Sequence, residues 1–310
     1  MRIDYLRPLF FLAAFFAAGA QAYETDQFNN RLAQLRDAGP AMDAHVNAAI
    51  ADAVAHCHGA RDELKLVNKV YFRLGGLHWV DHIEKWAMQS PDIDKLQTGR
   101  FKSIYRGHPW YATRVTAAFG IGATFRLDGV LVGSDKLGHF FSQGRKFWLR
   151  WTASGDEAQA AKRSAATERG LFGQATTGDY SNADLVANYE GHRFYRSLFE
   201  DDVIPGKKAI VRWDGKRWQV QRAFAWSDHV NPWWDEALLV NDFDSILKPY
   251  MRERFLTFCP DYARDPAAWS VAPAVDEALF RKYAMLQLRD TRDMRLGALC
   301  APSQEMGNRK

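Results

Sequence analysis

The chain has 310 residues and carries 41 Lys and Arg against 37 Asp and Glu, a net charge of +4. So even a balance gives no footing for a polyanionic partner such as nucleic acid. The length supports a large domain with its own core, so the three cysteines need not staple it.

The first 22 residues, MRIDYLRPLFFLAAFFAAGAQA, set Arg2 and Arg7 ahead of an apolar run from Leu9 to Ala18 and a small-x-small site at Ala20-Gln21-Ala22. This is the pattern of a secretory signal peptide, and it predicts a periplasmic or secreted chain after cleavage near Ala22. The net charge then falls to +3, because Arg2, Arg7 and Asp4 leave together. The apolar run is shorter than the roughly 18 residues of a spanning helix, and no later stretch reaches that length. A mature chain without a transmembrane segment is expected, and with no Cys beside the cleavage site, a lipid anchor is not.

Residues 23–310 read as a single, mainly helical domain with two small β-hairpins, because no repeat, low-complexity run or linker divides them. A helix is expected over Thr25 to Arg36, and a clearer one from Pro40 to Cys57, where Val46, Ile50 and Val54 recur at helical spacing. Pro40 suits a first turn and Gly59 a stop. His56 and His58 flank Cys57, but this short tract lacks a distant ligand pair, and an ordinary helix end is the preferred reading.

The stretch GGLHWVDHIEKWAM predicts a helix with Trp79, Ile83 and Trp86 on one face and His78, His82 and Lys85 beside it. His78 and His82 have the spacing of a zinc-binding pair. Trp79 stands where a zincin would place its Glu, and no third ligand is evident, so two surface histidines are the preferred reading.

Asp128-Gly129 within TFRLDGVLV and Asp214-Gly215 within AIVRWDGKRWQV are hairpin signals, the second with Val211, Trp213, Trp218 and Val220 as inward candidates. Further helices are expected from Trp234 to Phe258 and from about Val275 to Leu296, separated by a loop at CPDYARDP. A disulfide is expected between Cys259 and Cys300, which both lie in the C-terminal third, leaving Cys57 free.

The chemistry-bearing residues lie between 133 and 191. A helix opening at Ser134 or Asp135 has an apolar stripe of Leu137, Phe140, Phe141, Gly144, Trp148 and Trp151, with Asp135, His139, Gln143 and Lys146 opposite. Asp135 also suits a cap. The next helix, from about Asp156 to Phe172, has a stripe of Ala158, Ala161, Ala165, Glu168 and Phe172, so Glu168 falls at an inside position. A buried carboxylate needs a partner, and one from another helix fits better than the adjacent Arg169.

A third helix is signalled by Ser181-x-x-Asp184, a form of the capping box. Its stripe of Asp184, Asn188, Gly191 and Tyr195 places a small residue, suited to close helix approach, beside two polar ones.

The order Asp135-Lys136-x-x-His139-Phe140, then Glu168, then Asp184-x-x-x-Asn188-x-x-Gly191 resembles the signature of the VanZ-like family and of bacterial envelope lipoproteins with an Asp-Lys-x-x-His core. The resemblance covers residues 133–191. It implies a helical envelope protein, though members are usually membrane-embedded. Leu171 stands where the pattern has Gln, and Gly178 or Asp179 where it has Arg.

If Asp135, His139, Glu168, Asp184 and Asn188 converge, two chemistries are open. Asp135, His139, Glu168 and Asp184 suit a divalent metal ion that activates water. Alternatively, His139 acts as general base, oriented by Asp135 or Glu168, while Lys136 holds an anionic group. Together with export, the resemblance implies a hydrolase or transferase acting on an envelope lipid, phosphate ester or glycan precursor.

The alternative is a non-catalytic envelope scaffold or binding module in which the same residues form a structural hydrogen-bond network. No P-loop, dinucleotide fingerprint or Gly-x-Ser-x-Gly elbow competes with these readings. Trp233-Trp234 reads as core before it reads as a sugar or lipid groove, and no strongly basic amphipathic helix points to a membrane surface.

Overall fold

A computed structural model describes residues 24–76, 80–114, 120–170 and 173–301; the predicted signal peptide lies outside them. The fold is mainly α, with three small antiparallel strand pairs among the described residues. No described helix is long and apolar enough to cross a membrane.

The expected helix over Thr25 to Arg36 is replaced by turns. Asp26 Oδ1 accepts the amides of Phe28 and Asn29, each at 3.0 Å, which offers the backbone a local alternative to a helical ladder. Helix α1, Gly39–Ala55, follows as expected, with Pro40 in its first turn and Val46 and Ile50 buried. Helix α2, Glu63–Leu74, is capped by Asp62.

Helix α3 spans only His82–Gln89, preceded by Asp81. His78 and Trp79 lie outside the described residues, and His82 is the first residue of α3, so no helical pair four residues apart can be read there. Cys57 is buried and free, while the neighbouring His56 bonds the Asp52 carbonyl at 2.8 Å.

Strands β1, Thr124–Leu127, and β2, Val130–Gly133, form the first expected hairpin. Asp128 and Gly129 at its tip have φ of 50° and 78°, the left-handed pair that a tight two-residue turn requires.

Helix α4 then runs without a break through α-helical Asp135–Gly138, π-helical His139–Gln143 and α-helical Gly144–Ser154. Its apolar stripe is buried from Leu137 to Trp148, Trp151 being partly exposed. The π turn was not legible in the sequence, and such turns recur at functional sites.

Helix α5, Glu157–Arg169, is capped by Asp156 and buries Ala161, Ala165 and Glu168 as expected; Ala158 is exposed, a correction to the expected stripe. Phe172 lies outside the described residues. After strand β3, Asp179–Tyr180, helix α6, Asn182–Ser197, is buried along nearly its whole length.

Helices α4 and α6 meet backbone to backbone. A Cβ added at Gly191 would lie 1.9 Å from the Phe140 carbonyl oxygen, and one added at Gly144 would lie 2.6 Å from Gly191 Cα. Only glycine fits at both positions, and Tyr195 adds a hydroxyl bond to the Phe141 carbonyl at 2.9 Å. The contact fixes the phase of one helix against the other.

Strands β4, Val211–Trp213, and β5, Trp218–Val220, make the second hairpin. Val211 and Trp218 face inward, whereas Val220 is exposed, contrary to expectation. The expected long helix from Trp234 is absent as far as residue 247. Residues 233–241 are buried without interruption but form turns, beginning with a 3-10 turn at Pro232–Trp234 that Asn231 caps, and strand β6, Asp242–Phe243, pairs with β3.

Helix α7 spans Lys248–Leu256, and the stretch expected as a loop contains helix α8, Cys259–Arg264. Helix α9, Pro273–Lys282, ends well short of Leu296: a 3-10 turn follows at Ala284–Leu286, and the chain then turns through Gln287 at φ 57°. The Cys259–Cys300 disulfide is present, tying α8 to the last described turn.

Candidate metal centre

Lys136, on the first turn of α4, is fully buried. Its ammonium lies 2.5 Å from Asp135 Oδ2, 2.6 Å from Asp184 Oδ1 and 2.7 Å from Glu236 Oε1. Burial alone would lower its pKa, but Asp135, Asp184 and Glu236 outweigh this and raise it well above the usual lysine range. With no solvent face left, Lys136 ties together α4, α6 and the segment after Trp234. That corrects the expectation that it holds a substrate anion.

His139 lies one turn further along α4, at the start of the π turn. Its Nδ1 is 3.0 Å from Asn188 Oδ1, and its Nε2 is 3.2 Å from Asp184 Oδ2. The Asn188 amide donates to Ser164 Oγ at 3.2 Å, which leaves its carbonyl oxygen to accept from His139 Nδ1. The lone pair of a neutral imidazole then sits on Nε2, aimed at the Asp184 carboxylate. Two acceptors facing across 3.2 Å need a proton or a metal ion between them.

Asp135, His139 and Asp184 each offer a ligand atom within 4.8 Å of the others. Ligands on opposite sides of an ion with bonds of about 2.1–2.4 Å are roughly 4.2–4.8 Å apart. Neighbours around a tetrahedral ion are about 3.3 Å apart. The triad therefore fits a divalent ion, with Asn188 as the outer group that orients the histidine.

Ser181 caps α6 by accepting the Asp184 amide at 3.1 Å, as the sequence suggested. The Asp184 carboxylate is turned instead to Lys136 and His139, so its role goes beyond the cap. The Ser181 hydroxyl donates to Glu236 Oε1 at 3.0 Å.

Glu168 is buried, as its position among alanines requires, and accepts the Ser181 amide at 3.1 Å. Burial first, then the charge of Asp184, pushes its carboxyl well above the usual range. It is not one of the three residues grouped around the common point, so the structure brings together Asp135, His139 and Asp184 and leaves Glu168 in an adjoining position.

Asp179, Glu236 and Glu24 were missed. Asp179 accepts from Thr177 Oγ1 at 2.6 Å and Asn241 Nδ2 at 3.3 Å, and burial raises it to about 6. Half-buried Glu24 accepts from Tyr105 at 3.3 Å and is raised by burial and then by Asp179, Glu236, Asp184 and Asp135. Glu236 had a signal, an acid pair in the otherwise apolar run WWDEALLV. Glu24 had none.

Asp135, Glu168, Asp179, Asp184 and Glu236 are all buried, while Lys136 and His139 are the basic side chains bonded directly to this group. So strong an acid excess in a dry site must be met by bound protons or by a cation. No family model matches the chain, and neither does any curated protein or solved structure.

Proposed function

We propose that the protein is an exported hydrolase or transferase of the cell envelope that holds a divalent metal ion between Asp135, His139 and Asp184. The observation that carries the reading is the alignment of His139 Nε2 with Asp184 Oδ2 at 3.2 Å, while Asn188 holds the other ring nitrogen. A bound ion would lower the pKa of a coordinated water and polarise a phosphoryl or carbonyl oxygen. Asn188 fixes the imidazole, and Lys136 fixes the two aspartates by taking their remaining oxygens.

The substrate class is an envelope lipid, a phosphate ester or a glycan precursor. Support comes from the signal-peptide pattern and the resemblance of residues 133–191 to VanZ-like and envelope-lipoprotein sequences. The scaffold reading keeps one observation in its favour, the complete engagement of Lys136 by carboxylates.

Elemental analysis of the purified protein and of Asp184→Ala tests the metal: the intact chain should carry about one equivalent that the variant loses. Equal content in both would end the proposal. His139→Ala separates chemistry from architecture. A folded variant that fails to rescue a deletion strain supports catalysis, whereas parallel loss of thermal stability and rescue supports the scaffold.

A further inference from the structure

From Lys95 to Arg114 the chain has five basic residues and no Asp or Glu. The stretch forms turns, including a 3-10 turn at Arg100–Lys102 and a single α turn at Trp110–Thr113. Phe101 is 86% exposed, Trp110 77% and Tyr111 52%. A large apolar side chain left in water forgoes the gain of burial, so three such side chains in one segment mark a surface that meets a partner.

They lie on one fixed frame. The Trp110 and Tyr111 rings are 6.3 Å apart, and Arg100 Nη2 donates to Thr113 Oγ1 at 3.3 Å, joining the two turns. Ile104 and Tyr105 are buried beneath, with the Ile104 amide on Asp26 Oδ2 at 3.1 Å. From α7, Arg254 donates to the Arg106 carbonyl at 2.6 Å, and Tyr250 meets Tyr111 at 3.2 Å.

Lys102 and Arg106 are exposed, and neither forms an ion pair among the described residues. Glu253 is the carboxylate that faces this region from α7, acting on His108 and Tyr250. The inner side of the same segment reaches the acid cluster, where the Tyr105 hydroxyl bonds Glu24.

We infer that Phe101, Trp110 and Tyr111, with Lys102 and Arg106, dock the protein on an anionic lipid surface. Aromatic rings settle at the interfacial level of a bilayer while neighbouring Lys and Arg meet negative headgroups, and no continuous helix is needed for either. Arg114 is paired with Asp244, so the charge complementarity comes from Lys102 and Arg106, which are exposed beside the aromatic rings. The inference rests on the envelope reading for its purpose: it brings the wall of the candidate metal centre to the membrane where a lipid-borne substrate lies.

Co-sedimentation of the full chain with phosphatidylglycerol vesicles and with phosphatidylcholine vesicles tests it. Binding should be stronger to phosphatidylglycerol and should weaken as salt rises. Phe101→Ser/Trp110→Ser should bind roughly tenfold less or weaker still, and Lys102→Glu/Arg106→Glu should lose the preference for phosphatidylglycerol.

Unaltered binding by Phe101→Ser/Trp110→Ser would overturn the inference, as would equal binding to both vesicles. So would a dimer in analytical ultracentrifugation that the same double variant dissociates. Metal content measured on these variants should match that of the intact chain, so lipid docking and the metal centre stand or fall separately.

Discussion

His139 Nδ1 and Asn188 Oδ1 face each other at 3.0 Å across the α4–α6 contact, and the Asn188 amide nitrogen is held in turn by Ser164. This chain of bonds settles which imidazole nitrogen is turned toward Asp184. Removing it with Asn188→Leu should lower metal affinity by about 10- to 100-fold while the protein stays folded. Competition with a chromophoric chelator reads the change, and an unaltered affinity would remove Asn188 from the site.

Lys136 is the common partner of Asp135, Asp184 and Glu236, so Lys136→Met leaves three carboxylates facing one another without their cation. A loss of about 3–5 kcal/mol in urea unfolding is expected. Glu236→Gln added to Lys136→Met should recover part of that loss, because it removes one of the stranded charges. Additive losses would mean that the two residues are not coupled.

Gly191→Ala forces a Cβ to within 1.9 Å of the Phe140 carbonyl oxygen. The helices must part, at a cost of about 1–3 kcal/mol, and the shift should also loosen the metal site, since His139 and Asn188 sit on opposite sides of the contact. Gly99→Ala, which meets nothing within 4 Å, is the matched control and should be close to neutral. Thermal melts of the two variants compare them directly.

On the other side of α4, Asp81 accepts a short bond from Ser142, and burial raises its carboxyl to about 7 against the pull of Ser142 and Lys146. The folded chain thus holds this proton more tightly than the unfolded chain does. The stability it contributes is full below about pH 4 and is lost as pH rises through about 7. Asp81→Asn should flatten the stability profile over that window and leave the variant more stable than the parent at alkaline pH, by up to about 4 kcal/mol. A variant less stable than its parent at alkaline pH would show that the ionised carboxylate is needed.

Local patterns were legible where one short signal governs. Asp128-Gly129 dictates its hairpin, Gly191 announces a close helix contact, and Glu168 among alanines announces burial. The helical order points to a convergence of Asp135, His139, Glu168 and Asp184, of which Asp135, His139 and Asp184 meet while Glu168 turns to the Ser181 amide.

What was not legible has both local and distant causes. The Asp26 side chain diverts its own segment from a helix, and residues 233–241 are buried on every side by elements far away in sequence. Glu236 enters the site from a stretch whose hydrophobicity imitates a helix. The π turn at His139–Gln143 leaves no mark in residue type. The 95–114 surface was overlooked because its aromatic and basic residues lie on turns rather than on one helical face.

Anomalous scattering from crystals grown with manganese or zinc tests the central claim most directly. A single strong peak is expected between His139 Nε2 and the carboxylates of Asp135 and Asp184, at about 2.0–2.3 Å from each ligand atom. A well-ordered site in which His139 bonds Asp184 directly, with no peak between them at saturating metal, would contradict it.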